Sequence, residues 1–382
     1  MMSENKKILY VLGREPVGGV GTFIKNVLEN GQKISCDFII SESNVQSDFH
    51  KFVMNKGSRV FWAPELSVDN IFNYNRWAKD FYAKYHDNYN IVHVNTPVVS
   101  FINLFYAKKG GIPVRIYHAH NTAHTNKIKN LRNLIQVKLA IRYTTDLFAA
   151  GKDAGKYNFG AVPFKVIKNG IKTENFKFNL PARDNIRDMF DLQGKFVILQ
   201  VGTVNEGKNQ KFIVEALSRL KDKDFTMKKL CFLIVGTGPK ISELKKLVYK
   251  KNLDNYVKFV GKVTNNISDF YSLADLLVMP SISEGFPLTA IEGQCNGIKM
   301  LLSSSIDRSA GIITSARYLP INNPTIWAKE IKKIIIGKEW SSANFFKQRQ
   351  ETYKLVQKKG FDVTDSVKDL LDLYDKSLRN KK

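Results

Sequence analysis

A repeated unit restricts this chain more than any other feature: a short apolar run stops at glycine, and a helical pattern soon follows. Lys6–Leu12 stops at Gly13 ahead of a helical pattern through Glu29, and Phe196–Val201 stops at Gly202 ahead of Gln210–Leu220. Leu230–Val235 stops at Gly236, and Val257–Val260 stops at Gly261. Runs of four to eight branched residues bounded by turn residues predict strands buried on both faces, which parallel sheets require. Further strands are expected at Phe38–Ser41, Arg59–Ala63, Ile91–Val94, Val114–His118, Leu147–Ala150, Lys165–Ile167, Ala274–Met279 and Lys299–Ser303. Such alternation predicts an α/β chain with two doubly wound, Rossmann-like sheets. The polar stretch Lys172–Asp184 reads as the linker between them. The expected domains are 1–175, 176–350, and a helical tail, 351–382, packing back toward the first. A cleft between two such halves is the default place for a ligand.

Composition narrows the setting. The chain has 382 residues and is 43% hydrophobic, enough for two cores. Cys36, Cys231 and Cys295 lie far apart with no metal-ligand spacing, and no signal-peptide cleavage pattern follows Met1, so a cytoplasmic setting is expected. The most apolar stretch, Ile91–Ala107, is interrupted by His93, Asn95, Pro97 and Asn103, so no membrane span is expected. Net charge is +24, and residues 1–180 hold 25 Lys/Arg against 13 Asp/Glu, half of the surplus. No acidic residue occurs between Asp87 and Asp146, a stretch containing Lys108, Lys109, Arg115, Lys127, Lys129, Arg132, Lys138 and Arg142. An anionic membrane surface or another polyanion suits that stretch, as does general basicity with no partner. Asn126–Thr144 within it has helical length but no clean apolar stripe.

Chemistry concentrates in a few loops. Pro280-Ser-Ile-Ser-Glu-Gly-Phe-Pro-Leu-Thr-Ala-Ile-Glu292 follows a strand, and Pro287 suits the first position of a helix. Glu284 in the loop and Glu292 in the helix flank the unsatisfied N–H groups of a helix start, where phosphate binds well. A ligand with hydroxyls at both ends and a diphosphate between them fits. A glycosidase carboxylate pair fits poorly, since one helix and its leading loop rarely supply both sides of a cleft. In VGTVNEGKNQ, Lys208 and Asn209 precede a helix and place a point charge where phosphate would sit. Gly18 and Gly19 allow close backbone approach at a helix start. The pattern is no P-loop, because Gly19-Val20 stands where Lys-Ser/Thr is required. All six histidines fall in the first half: His50, His86, His93, and His118, His120 and His124 in YHAHNTAH. Strand alternation puts His118 and His120 on one face, with no third metal ligand evident. Asp222-Lys-Asp224 follows a charged helix without a preceding strand and reads as surface.

Taken together, GGVGTF, HAHNT, KNGI, VGTVNEGKN, VGTGP, VKFVGKV and SEGFPLTAIE resemble, in order and over nearly the whole length, the retaining glycosyltransferases of family 4. The resemblance implies GT-B architecture, two facing Rossmann-like domains with a cleft. It also implies transfer of a hexose or N-acetylhexosamine from a nucleotide-sugar, a UDP-sugar, to a glycan or lipid-linked glycan, without a metal or other cofactor. By position, Glu292 would hold the ribose diol and Glu284 the sugar hydroxyls, while Gly285, Phe286, Pro287, Leu288 and Thr289 would present backbone N–H groups. Lys208 would assist at the diphosphate, with Asn209 beside it, and Gly18 and Gly19 would close on the same group. His120 would contact the donor sugar, with His118 as the second choice. Thr203 stands where the family usually has Arg, which shifts weight onto Lys208. Other classes on this scaffold are a non-catalytic polyanion binder and a sugar phosphorylase or epimerase; nucleic acid is not the expected partner.

Overall fold

The structure, a computed structural model, describes residues 6–16, 18–41, 47–67, 69–122, 127–220, 229–313, 316–337, 340 and 342–381, without the Lys127 side chain. His124, Asp222 and Asp224 lie outside the described residues. The chain forms two compact units, residues 1–170 with 363–382, and residues 171–362.

The first unit is a seven-stranded parallel sheet: β1 (Lys6–Gly13), β2 (Ile34–Ile40), β3 (Val60–Trp62), β4 (Ile91–Val94), β5 (Val114–Ala119), β6 (Asp146–Ala149) and β7 (Lys165–Val166), in spatial order 3-2-1-4-5-6-7. The second has β8 (Phe196–Val201), β9 (Leu230–Val235), β10 (Val257–Gly261), β11 (Leu276–Met279), β12 (Lys299–Ser303) and β13 (Ala316–Leu319), in order 10-9-8-11-12-13. Both are doubly wound, so the strand order reverses between β1 and β4 and again between β8 and β11. Ligands of open parallel sheets bind beyond the carboxyl ends of the strands at such reversals.

Alternation along each central strand explains burial on both faces. Leu9 and Val11 join one core of the first unit, Ile8, Tyr10 and Leu12 the other. In β8, Phe196 and Ile198 face one way, Val197 and Leu199 the other. The last helix, Val363–Arg379, adds Val363, Val367, Leu370 and Tyr374 to the first unit's core, a stripe at helical spacing. The preceding helix, Ala343–Lys358, belongs to the second unit, so the tail divides at 362/363 rather than at 350/351. Gly360, with φ 73°, makes the turn between these two helices.

Lys172–Asp184 is not a polar linker. Thr173–Phe176 is a 3₁₀ turn, and a helix spans Leu180–Met189 after an Asn179 cap. Its arginines point inward. Arg183 and Arg187 each bond Asp275 at 2.6 Å, and the Val197 N–H donates to the same carboxylate at 2.8 Å. A buried carboxylate is tolerated only when its charge and lone pairs are met. Polar residues therefore form part of this interior.

Candidate functional site

At the reversal in the second unit, the loops after β8 and β11 are tied together. Ile282 N–H donates to Gly207 C=O at 2.8 Å, and Asn209 Nδ2 donates to Pro280 C=O at 3.1 Å. The glycines after β8 and β9 let those loops close-pack. A Cβ on Gly236, whose φ is 138°, would stand 2.0 Å from the Gly202 carbonyl oxygen, and one on Gly238 would stand 2.4 Å from that of Val204. The Lys208 chain runs over Gly202, where a Cβ would meet Cε at 3.3 Å.

Lys208 Nζ donates to Glu284 Oε1 at 2.6 Å, with 24% and 13% of the two side chains exposed. Glu292 lies in the second turn of the helix Leu288–Cys295 and accepts a short hydrogen bond from the Tyr271 hydroxyl. Burial raises the Glu292 carboxyl above its ordinary range, opposed by the Tyr271 bond and by the positive charge of Lys208. One lysine therefore acts on both carboxylates. Pro287 is the cap residue rather than the first helical one, and its carbonyl accepts from Ala290 N–H at 2.9 Å. The helix begins one residue later than expected and carries Leu288 and Thr289 on its first turn. Phe286 is partly buried and stacks on Phe361 at 5.6 Å against a local core. Thr203 is exposed, and its carbonyl accepts from Gln210 Nε2 at 3.1 Å.

The reversal in the first unit gathers a second group. Gly13 abuts Thr96, where a Cβ would meet the side chain at 3.0 Å, and Asn95 N–H donates to Val11 C=O at 2.9 Å. His120, 8% exposed, bonds Asn95 Oδ1 through Nε2 at 2.7 Å. Asn95 Nδ2 donates to the His93 carbonyl at 3.2 Å, which fixes the amide orientation. His120 Nε2 must then carry the proton, leaving Nδ1 as a buried acceptor with no partner among the described residues. Burial pushes the His120 imidazole down to about 3, so it is neutral at physiological pH.

His118 is fully buried with its ring centroid 4.0 Å from that of His120. A polar chain runs behind it: His118 Nδ1 to His93 Nε2 at 3.2 Å, His93 Nδ1 to the Tyr374 hydroxyl at 2.6 Å, and on to Tyr10 at 2.9 Å. His93 thus supplies a third imidazole. Even so, no three His, Cys, Asp or Glu groups among the described residues are arranged to hold a metal ion. Gly18, with φ 63°, precedes the helix Gly19–Asn30, and open space lies where a Cβ would project from either Gly18 or Gly19. A pocket of about 390 Å³ adjoins this turn, walled by Arg14, Glu15, Glu65, Asn95, Lys129 and Arg132 among others.

The profile described as "Glycosyl transferases group 1" matches residues 182–374, half of the chain. The chain belongs to that family. This glycosyltransferase is 26% identical to EpsF of Bacillus subtilis over 98% of its length and 97% of that protein's. It is 23% identical to the Escherichia coli UDP-Gal:alpha-D-GlcNAc-diphosphoundecaprenol alpha-1,3-galactosyltransferase over 72% of each chain. Its fold matches Anabaena HepE, solved in complex with UDP-glucose, with a TM-score of 0.79 at 16% identity, covering 97% of this chain and 99% of that one. The architecture is GT-B, built from two Rossmann-like halves.

Several groups at these two centres escaped the reading of the glycosyltransferase sequence. Tyr271, His93 and Tyr374 sit in stretches that read as helix or strand, and their partners lie 21 to 364 residues away. Asn95, in the polar NTP that ends β4, had a usable signal: an amide directly after a strand at a sheet reversal. Arg115 leaves the basic surface, since its guanidinium donates to the Tyr143, Ile112 and Pro113 carbonyls. The helix Lys127–Ile141 does carry an apolar stripe, directed outward. Val137 and Ala140 face inward at the same time, and two apolar sides erase the periodicity a sequence would show.

Proposed function

We propose that this chain moves a hexose or N-acetylhexosamine from a UDP-sugar to a glycan or lipid-linked glycan, with retention and without a metal. The observation that carries this reading is the Lys208–Glu284 pair with Glu292 in the field of the same lysine. The E. coli relative named for UDP-Gal and a diphosphoundecaprenol acceptor supports it, as does the UDP-glucose complex of HepE. In this reading Glu292 takes the ribose diol and Glu284 the sugar hydroxyls, displacing Lys208 toward the diphosphate. Backbone N–H groups from Gly285 to Thr289 complete the anion site, with Thr203 and Asn209 at its edge.

Breaking the anomeric C–O bond leaves negative charge on the departing diphosphate. Lys208 and the helix start at Leu288 stabilise that charge with positive ends fixed in advance, and this is the source of rate. His120, neutral and holding its proton on Nε2, offers Nδ1 as an acceptor to a hydroxyl of the donor sugar. The acceptor glycan is assigned to the first unit, whose pocket beside Asn95 carries charged groups of both signs, Arg14, Lys129 and Arg132 with Glu15 and Glu65. This chemistry belongs in the cytoplasm, where nucleotide-sugars are made. Incubation with UDP-sugars and candidate acceptors tests the reading: UDP release that requires acceptor is expected. Release into water or phosphate alone, or binding of polyanions with no UDP formed, would refute it.

A further inference from the structure

The outward apolar stripe of the helix Lys127–Ile141 has no role in the chemistry above, although Lys129, Arg132 and Asn133 of the same helix wall the pocket assigned to the acceptor. Ile128 is 81% exposed, Leu131 63% and Ile135 50%. At about 100° per residue these three fall within an arc of about 60°. They form one stripe rather than scattered apolar residues, which alone would need no explanation. Arg132 lies to one side of the stripe and Lys138 to the other, and Arg142 follows the last turn; all three are exposed. Val137 and Ala140 anchor the opposite side in the first unit's core, so the helix is held with its stripe outward. The exposed Lys108 and Lys109 end the neighbouring helix Ser100–Lys109, which packs against it. No carboxylate occurs in the sequence from residue 88 to 145 to offset these cations.

We infer that this face docks on an anionic lipid bilayer, with Ile128, Leu131 and Ile135 entering the acyl boundary and the flanking cations meeting lipid phosphates. Charge selects the occupant. Exposed cations on two packed helices, with no acid on either, favour a uniformly anionic plane, and a straight apolar stripe with cations on both sides is how a helix lies in a membrane interface. Nucleic acid would use the cations but leave three large aliphatic side chains in water. No described helix is long and apolar enough to cross a membrane, so the contact is peripheral. The inference goes beyond the donor chemistry, because none of these residues is among those assigned to UDP above.

Co-sedimentation of the full chain with vesicles tests it. Binding is expected to an equal mixture of phosphatidylglycerol and phosphatidylcholine and not to phosphatidylcholine alone. The triple variant Ile128→Ser, Leu131→Ser, Ile135→Ser is expected to lower partitioning at least about tenfold. Lys138→Glu with Arg142→Glu should lower it by more than about tenfold, at roughly fivefold per charge. The triple variant should melt at the wild-type temperature and bind UDP unchanged. If it melts lower, Leu131→Trp decides: its added emission should shift to the blue on mixed vesicles and be quenched by brominated acyl chains. Wild-type vesicle binding by a normally melting triple variant, equal binding to both lipid compositions, or a Leu131→Trp signal that stays in water would each overturn the inference. So would displacement from vesicles by polyuridylate at equal charge concentration.

Discussion

Replacing Lys208 with methionine keeps the aliphatic chain that crosses Gly202 and removes only the charge. The side chain is about one-quarter exposed and pairs with a Glu284 carboxylate that is less exposed still. A unit charge about 4 Å from a developing negative charge is worth about 4 kcal/mol at an effective dielectric near 20. Removing one fixed stabiliser of a transition-state anion typically costs about 3–4 kcal/mol. Both routes give a fall in turnover of about 10²–10³-fold. The same change removes the lysine from Glu284, so some damage could come from losing that ion pair rather than from lost catalysis. A double variant separates the two. If Lys208 serves only to neutralise Glu284, Lys208→Met with Glu284→Gln recovers toward the rate of Glu284→Gln alone. If Lys208 stabilises the leaving diphosphate, the double variant stays at least about a hundredfold below Glu284→Gln. The assay is the initial rate of acceptor-dependent UDP release, with a melt to confirm folding. Turnover of Lys208→Met within about threefold of wild type, or recovery in the double variant, refutes the electrostatic role.

Three further outcomes follow from burial and close packing. Burial holds His93, His118 and His120 neutral in the fold, far below their ordinary pKa. Their contribution is complete above an unfolded pKa near 6.5 and is lost as pH falls, because the unfolded chain then binds more protons. Between pH 7 and 5.5 the loss is about 1 kcal/mol per histidine, roughly 3–4 in all, so the melting temperature should drop clearly; an unchanged melt across that range contradicts the buried neutral cluster. Glu292 has the opposite sign. Its raised carboxyl favours the fold below the ordinary carboxylate range and costs stability once the folded group ionises, so Glu292→Gln should melt at or above wild type at pH 7, with the gap closing in acid. A variant that is clearly less stable at pH 7 counts against this. Gly236→Ala meets the Gly202 carbonyl and adopts an unfavourable φ, and should cost about 3 kcal/mol or more in chemical denaturation; a change under about 1 kcal/mol would mean the loop yields.

Much of the fold was legible because parallel strands buried on both faces are continuous apolar runs, and glycine marks their ends. The weak strand β13, Ala316–Leu319, was not, since an edge strand with Arg317 lacks such a run. Nor was the helix Leu180–Met189. Its stripe is arginine, and arginine reads as surface unless Asp275, some ninety residues away, is known to wait beneath it. The strand run Ala274–Met279 likewise passes over Asp275 as if it were apolar. Lys208, Glu284 and Glu292 could be named from their loops because a helix start and a nearby lysine are local features. His93, Tyr271 and Tyr374 could not be assigned roles, since each acquires its role from a partner that only the folded chain brings near. The outward stripe on Lys127–Ile141 was hidden for another reason: a helix apolar on two sides has no single period.

The central claim is that the second unit grips a nucleoside diphosphate through Glu292 and Lys208. Calorimetric titration of UDP into the wild-type chain and into Glu292→Ala tests it most directly. The account predicts saturable one-to-one binding by wild type and at least about a tenfold loss in the variant, as expected for removing a charged hydrogen-bond acceptor from the ribose. Equal UDP affinity in the two proteins, or no binding by wild type, would contradict it.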